Sequence, residues 1–130
     1  MDKIDCILLV DDDETTNFVN QLLLEHMEVT DQVLVAYNGR QALTLIQQQC
    51  CPTLSLLDIN MPVMNGFEFL EAYEGLELPH KQSVVVVMLT TSLNPKDMER
   101  LEQMSIQGFC SKPLTEELVR AMVTRYFKGA

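Results

Sequence analysis

Apolar residues come in short bursts along this chain, and the bursts alternate between two rhythms. Cys6-Ile7-Leu8-Leu9-Val10 is a continuous apolar run of strand length, which predicts a strand covered on both faces. It stops abruptly at Asp11-Asp12-Asp13. From about Thr15 the rhythm changes, and Phe18, Val19, Leu22, Leu23 and Met27 recur at the three- and four-residue spacings of an amphipathic helix. Val33-Leu34-Val35-Ala36 is a second strand, closed by Tyr37-Asn38-Gly39, with Asn38 as cap of a helix carrying Ala42, Leu43, Leu45 and Ile46. Cys51-Pro52 ends that helix.

The same alternation continues to the end. Leu54-Ser55-Leu56-Leu57 reads as a buried strand that terminates on Asp58, followed by the loop chemistry of Asn60-Met61-Pro62 and Asn65-Gly66. A helix from about Gly66 to Tyr73 carries Phe67, Leu70 and Tyr73, and Gly75 to His80 reads as a loop. Val84 to Leu89 is the strongest β signal in the chain and delivers Thr90. Asn94-Pro95 predicts a helix start with proline at the first position, with Met98, Leu101 and Met104 on its apolar face. Gln107 to Cys110 is a brief fifth strand before Ser111-Lys112-Pro113. A last helix is capped by Thr115, has Glu116 and Glu117 at the positive end of its dipole, and buries Leu118, Met122, Val123 and Tyr126. Leu114 is placed to staple onto Val119.

One β-α unit used five times predicts an α/β fold with a five-stranded parallel sheet and helices on both faces. The flavodoxin-like doubly wound order, 2-1-3-4-5, suits five strands. Its switch point lies between the carboxyl ends of strands 1 and 3, the two strands that end in Asp11-Asp12 and in Asp58. Strand 2 ends in Tyr37-Asn38-Gly39, with no reactive group. Topology and charge placement therefore point to one site.

Composition narrows the reading. At 130 residues the chain fits one domain, residues 1–130, with no room for a separate effector. Nineteen acids against nine bases give a net charge of −10, which would be repelled by nucleic acid and by anionic membrane. No apolar stretch approaches the ~20 residues of a bilayer span, and the first residues lack the pattern of a signal peptide. Cys6, Cys50, Cys51 and Cys110 show no zinc or disulfide spacing, so free thiols in a reducing cytoplasm are expected.

The chemistry starts with the acids. Two unit charges ~4 Å apart repel by ~4 kcal/mol at an effective dielectric near 20, so a cluster of three must disperse, take up protons or bind a cation. Oxygen-only ligands suit Mg²⁺ or Mn²⁺, which bridge readily to a phosphate. Asp13 and Glu14 read as solvated or helix-start charges, whereas Asp11 and Asp12 could equally be caps. Taken singly, Thr90 reads as a strand terminator and Lys112 as a solvated charge, but a hydroxyl and an ammonium beside a metal-bound carboxylate are what a transferring phosphoryl group requires. A carboxylate in their midst can act as nucleophile and form an acyl phosphate.

Taken in order, Leu9-Val10-Asp11-Asp12, Asp58-Ile59-Asn60-Met61-Pro62 with Asn65-Gly66, Leu89-Thr90 and Lys112-Pro113 resemble the receiver domain of two-component response regulators. Tyr37-Asn38-Gly39 with Ala42-Leu43 resembles that family's second unit. The resemblance implies Asp58 as phosphoacceptor. It implies Mg²⁺ held by Asp12 and Asp58 with the backbone carbonyl of Asn60, and by Asp11 mainly through water. Lys112 and Thr90 would stabilise the phosphoryl group, and Phe109 would switch rotamer in step with Thr90. It further implies a sensor histidine kinase or histidine phosphotransfer protein as donor, and a downstream protein target reading the region from Asn94 to Phe127. Such a protein is a regulator rather than an enzyme, catalysing only its own phosphorylation and slow dephosphorylation. Phe109 replaces the commoner tyrosine, and Thr91 stands where a smaller residue is usual, where it would crowd access to Asp58. The competing reading is a haloacid-dehalogenase-like phosphohydrolase using Asp11, whose D-x-D-x-T pattern Asp11-Asp12-Asp13-Glu14-Thr15 fits while leaving the Asp58 motif unexplained.

Overall fold

The computed structural model describes residue 4 and residues 6–48, 54–58, 64, 66–75, 85–90, 95–103, 108–111 and 114–126. Strands and helices alternate strictly: β1 (Ile7–Val10), α1 (Glu14–Met27), β2 (Val33–Ala36), α2 (Gly39–Gln48), β3 (Leu54–Asp58), α3 (Gly66–Glu74), β4 (Val85–Thr90), α4 (Pro95–Glu102), β5 (Gly108–Ser111) and α5 (Glu116–Tyr126). The strands form one parallel sheet in the order β2-β1-β3-β4-β5, as the alternation predicts. This is the doubly wound, flavodoxin-like arrangement.

Period-two alternation sorts the strand residues into two cores. Leu8, Val10, Leu57, Val86 and Met88 point to the face covered by α2 and α3, where they meet Ala42, Ile46, Phe67, Phe69, Leu70 and Tyr73. Ile7, Leu9, Leu54, Leu56, Val87 and Leu89 point to the opposite face, against Leu24 of α1 and Val119, Met122 and Val123 of α5. Burial on both faces is why β1 reads as an unbroken apolar run and β3 as a run interrupted only by Ser55 before it ends on Asp58.

Local chemistry starts the helices where expected. Asn38 Oδ1 accepts from Gln41 N–H at 2.9 Å, and the Gln41 side chain accepts from Tyr37 N–H at 2.9 Å. Thr115 Oγ1 accepts from Leu118 N–H at 3.2 Å, and Leu114 is buried in the same core as Val119. Helix α1 ends on Glu28 with φ 55°, a left-handed cap made without glycine. Arg100 ties α4 to α3, its guanidinium 4.1 Å from the Phe67 ring centroid and 3.2 Å from Glu71 Oε1.

Helix α1 departs from the expected orientation. Phe18, Val19 and Leu22 are 60%, 53% and 49% exposed, while the residues it buries are Asn17, Asn20 and Leu24. Leu23 and Met27 flank that stripe and are partly covered by the α1–α5 core. The apolar spacing is too wide around the helix to fix its rotation, and Asn17, bonded to strand-end carbonyls, decides it instead. Met104 and the Cys51-Pro52 break lie outside the described residues.

Candidate functional site

Parallel register sets the strand ends at one level. Val10 pairs with Ala36 on one side and Leu57 on the other, Asp58 pairs with Leu89, and Thr90 pairs with Ser111. One residue past Val10, Asp11 therefore stands beside Asp58 at the carboxyl edge. Asp11 and Asp58 are buried, at 5% and 8% exposure, and Asp12 is exposed. One carboxylate oxygen from each of the three lies within 4.8 Å of the other two.

The loop holding two of these acids is tightly tied. Asp11 N–H donates to the Ala36 carbonyl at 3.1 Å, and Asp11 Oδ1 accepts from Asp13 N–H at 2.9 Å. Asp13 is the cap of α1: its carboxylate accepts from Thr15 N–H at 3.0 Å and from the Thr16 hydroxyl at 2.8 Å. Capping by Asp13 answers the question that the sequence left open for Asp11 and Asp12. Their carboxylates are not needed to start the helix and turn toward Asp58 instead.

A third tie was not foreseen from the sequence. Asn17 Nδ2 donates to the Asp11 carbonyl at 2.9 Å, reaching back from α1 to the loop. Its signal was faint: Asn17, Asn20 and Leu24 share a helical stripe, but two asparagines on a stripe read as its polar side.

The donor set suits a hard divalent cation: oxygen atoms only, three formal charges, and one exposed acid open to solvent-borne ligands. Asp11, Asp12 and Asp58 fit Mg²⁺ or Mn²⁺ on these grounds. Thr90 ends β4 and Phe109 sits in β5 opposite Met88, each placed by its backbone. Asn60 and Lys112, with Thr91, Asn65 and Pro113, lie outside the described residues. Cys6 and Cys110 form no disulfide among the described residues, and burial pushes the Cys110 thiol up against the opposing influence of Arg125, leaving it a poor nucleophile. Among the described residues no helix is long and apolar enough to cross a membrane.

Known proteins resemble this chain along nearly its whole described length. A family model described as the response regulator receiver domain matches residues 7–124. An uncharacterised 14.6 kDa protein from Leptolyngbya boryana is 31% identical over 121 residues, covering 92% of this chain and 88% of that protein. The sensor protein GacS of Pseudomonas syringae is 29% identical over 121 residues, which is 92% of this chain and only 13% of GacS. Among solved structures, a two-component response regulator from Cytophaga hutchinsonii superposes with a TM-score of 0.84 at 29% identity, covering 95% of this chain and 97% of that one. Nothing in these likenesses supports the dehalogenase-like reading.

Proposed function

The chain belongs to the response regulator receiver family of two-component signalling, and we propose that Asp58 is its phosphoacceptor, working with a divalent cation held by Asp11, Asp12 and Asp58. The observation that carries this reading is the convergence of those three carboxylates within 4.8 Å at the carboxyl edge of the sheet. Receiver domains are signalling switches, and this one would catalyse only its own phosphorylation and dephosphorylation.

A carboxylate oxygen of Asp58 attacks the phosphorus of a phosphohistidine on the donor. A P–O bond forms, the P–N bond breaks, and its electron pair leaves with the imidazole nitrogen. Hydrolysis reverses the capture: water attacks phosphorus, the acyl P–O bond breaks, and Asp58 is left as carboxylate beside inorganic phosphate. Asp11, Asp12 and Asp58, with the backbone carbonyl of Asn60, would hold the cation, which when bound would offset the charge of the acids and of the incoming phosphoryl oxygens. Lys112 pairs with those oxygens and Thr90 hydrogen-bonds them. Phe109 follows Thr90 between two rotamers, shifting the populations of the α4-β5-α5 surface that a target protein reads.

The donor is a sensor histidine kinase or a histidine phosphotransfer protein, in keeping with the likeness to GacS. Asp58 is recessed, so a protein donor must dock on the rim around it. Phe18, Val19 and Leu22 lie on the outer face of α1 just after the acidic loop, and they offer that donor an apolar contact. A cytoplasmic location follows from such a donor.

Incubation with acetyl phosphate, with and without Mg²⁺, followed by mass mapping tests the assignment. A Mg²⁺-dependent phosphoryl adduct on Asp58, absent from Asp58→Asn, is expected. An adduct on Asp11 instead would return the hydrolase reading to favour.

A further inference from the structure

Asn17 lies on the face of α1 turned to the sheet and is 2% exposed. Its carboxamide nitrogen donates to the Asp11 carbonyl at 2.9 Å and reaches the Ala36 carbonyl at 3.4 Å. Those two carbonyls belong to the last rung between β1 and β2, where Asp11 N–H also donates to Ala36 O at 3.1 Å. A helix side chain thus closes the end of the ladder. Among the described residues its carboxamide oxygen is buried without a hydrogen-bond partner. A buried unmatched oxygen is destabilising, and a leucine, with the same number and branching of side-chain heavy atoms, would avoid it. Packing alone therefore does not account for an asparagine here, and its N–H groups do.

We propose that Asn17 is a positioning residue that holds the acidic cluster together by fixing the peptide between Asp11 and Asp12. The inference rests on the reading of that cluster as a cation site. A peptide unit is planar, so anchoring the Asp11 carbonyl also fixes the direction of the Asp12 N–H and limits where the Asp12 side chain starts. On the other side of Asp12, Asp13 is held by Thr15, by Thr16 and by its own N–H to Asp11 Oδ1. Asp12 is exposed and sits between two anchors. Like charges at this separation push apart, and the anchors oppose that push before any cation arrives. Without the Asn17 donor the Asp11–Asp12 peptide can rotate, and the cluster must be reassembled each time a cation binds.

The test is calorimetric titration of Mg²⁺ into the unphosphorylated protein. Asn17→Leu keeps the number and branching of side-chain heavy atoms and removes the donor; Ile46→Val, in the α2 core, is the control for general destabilisation. Residues that orient metal ligands typically change affinity by about 10–100-fold, so Asn17→Leu is expected to weaken Mg²⁺ binding by roughly tenfold or more. Its far-ultraviolet circular dichroism should remain that of wild type. Ile46→Val should lower the thermal midpoint and leave the affinity unchanged. Wild-type affinity in folded Asn17→Leu overturns the proposal, and should that variant not fold, Asn17→Ala decides by the same criterion. Asp58→Asn separates the two levels of inference. If wild type binds no Mg²⁺, or binds it equally well without Asp58, the proposed function falls and this inference with it. If binding needs Asp58 but not Asn17, only the role of Asn17 falls.

Discussion

The middle of the sheet and its carboxyl edge are one residue apart and obey opposite rules. In β1, Ile7 to Val10 are no more than 2% exposed, and in β3 so are Leu54, Leu56 and Leu57. The next residues, Asp11 and Asp58, are 5% and 8% exposed, almost as buried, yet each carries a carboxylate. Burial in the middle stabilises the fold through apolar surface removed from water. Burial at the edge desolvates charge and brings like charges together, which destabilises it. The same strands therefore hold a region selected by stability and a region that makes sense only with a ligand.

The sharpest way to break this comparison is to cross the two regions. Asp58→Asn should abolish phosphoryl labelling outright while raising the thermal midpoint measured without divalent cations, because one charge leaves the cluster. Leu56→Ala, two residues earlier, should do the reverse. Leu56 is 1% exposed within the α1–α5 core, so truncation should cost about 2–5 kcal/mol by urea denaturation. At low temperature the folded fraction should still be labelled on Asp58. A Leu56→Ala protein that folds but cannot be labelled would show that the edge is not separable from the middle.

This contrast also explains what could be read from the chain. An acid at the end of an apolar run is visible in the sequence, because charge interrupts the run where burial gives way to chemistry. The alternation of five strands and five helices and the sheet order followed from the same runs. The rotation of α1 did not. Its apolar residues at Phe18, Val19 and Leu22 face outward, and Asn17 faces in because its amide has strand-end carbonyls to bind. Periodicity weighs residues by hydrophobicity and is blind to a polar side chain whose partners lie in another element. Asp13 was legible as a helix-start charge, but its capping bonds were needed to show that Asp11 and Asp12 are released for another use. Phe69 is fully buried one turn before Tyr73 and stacked on it, which widens the expected stripe of α3 toward the same core.

A smaller effect is expected where β2, the strand with no reactive group, meets the edge. Gly39 N–H donates to the Met64 carbonyl at 3.1 Å, joining the start of α2 to the stretch between Asp58 and α3. A Cβ on Gly39 would fall 2.7 Å from Met64 Cγ and 3.0 Å from its carbonyl oxygen. Gly39→Ala must therefore push that stretch aside, at a cost of about 1–3 kcal/mol. Labelling of Asp58 by acetyl phosphate should slow as well, since the displaced segment leads directly from the acceptor. Loss of stability with an unchanged labelling rate would confine the glycine's role to the middle of the fold.

The smallest effect lies inside the sheet. Ser55 pairs with Leu8 and Val86, is 1% exposed, and its hydroxyl has no hydrogen-bond partner among the described residues. It is a polar atom placed where every neighbouring rule favours an apolar one. Replacing it by alanine removes an unsatisfied group, whose desolvation costs ~1–3 kcal/mol, at the expense of a cavity one atom in size. The net expectation for Ser55→Ala is a gain of about 1 kcal/mol in urea denaturation, with Mg²⁺ affinity and labelling unchanged. Asp58→Asn and Ser55→Ala would then both stabilise the protein by removing a misplaced polar group, and only one of them would silence it. A drop in stability for Ser55→Ala would mean that the hydroxyl is engaged, and that the middle of the sheet is less purely apolar than its neighbours imply.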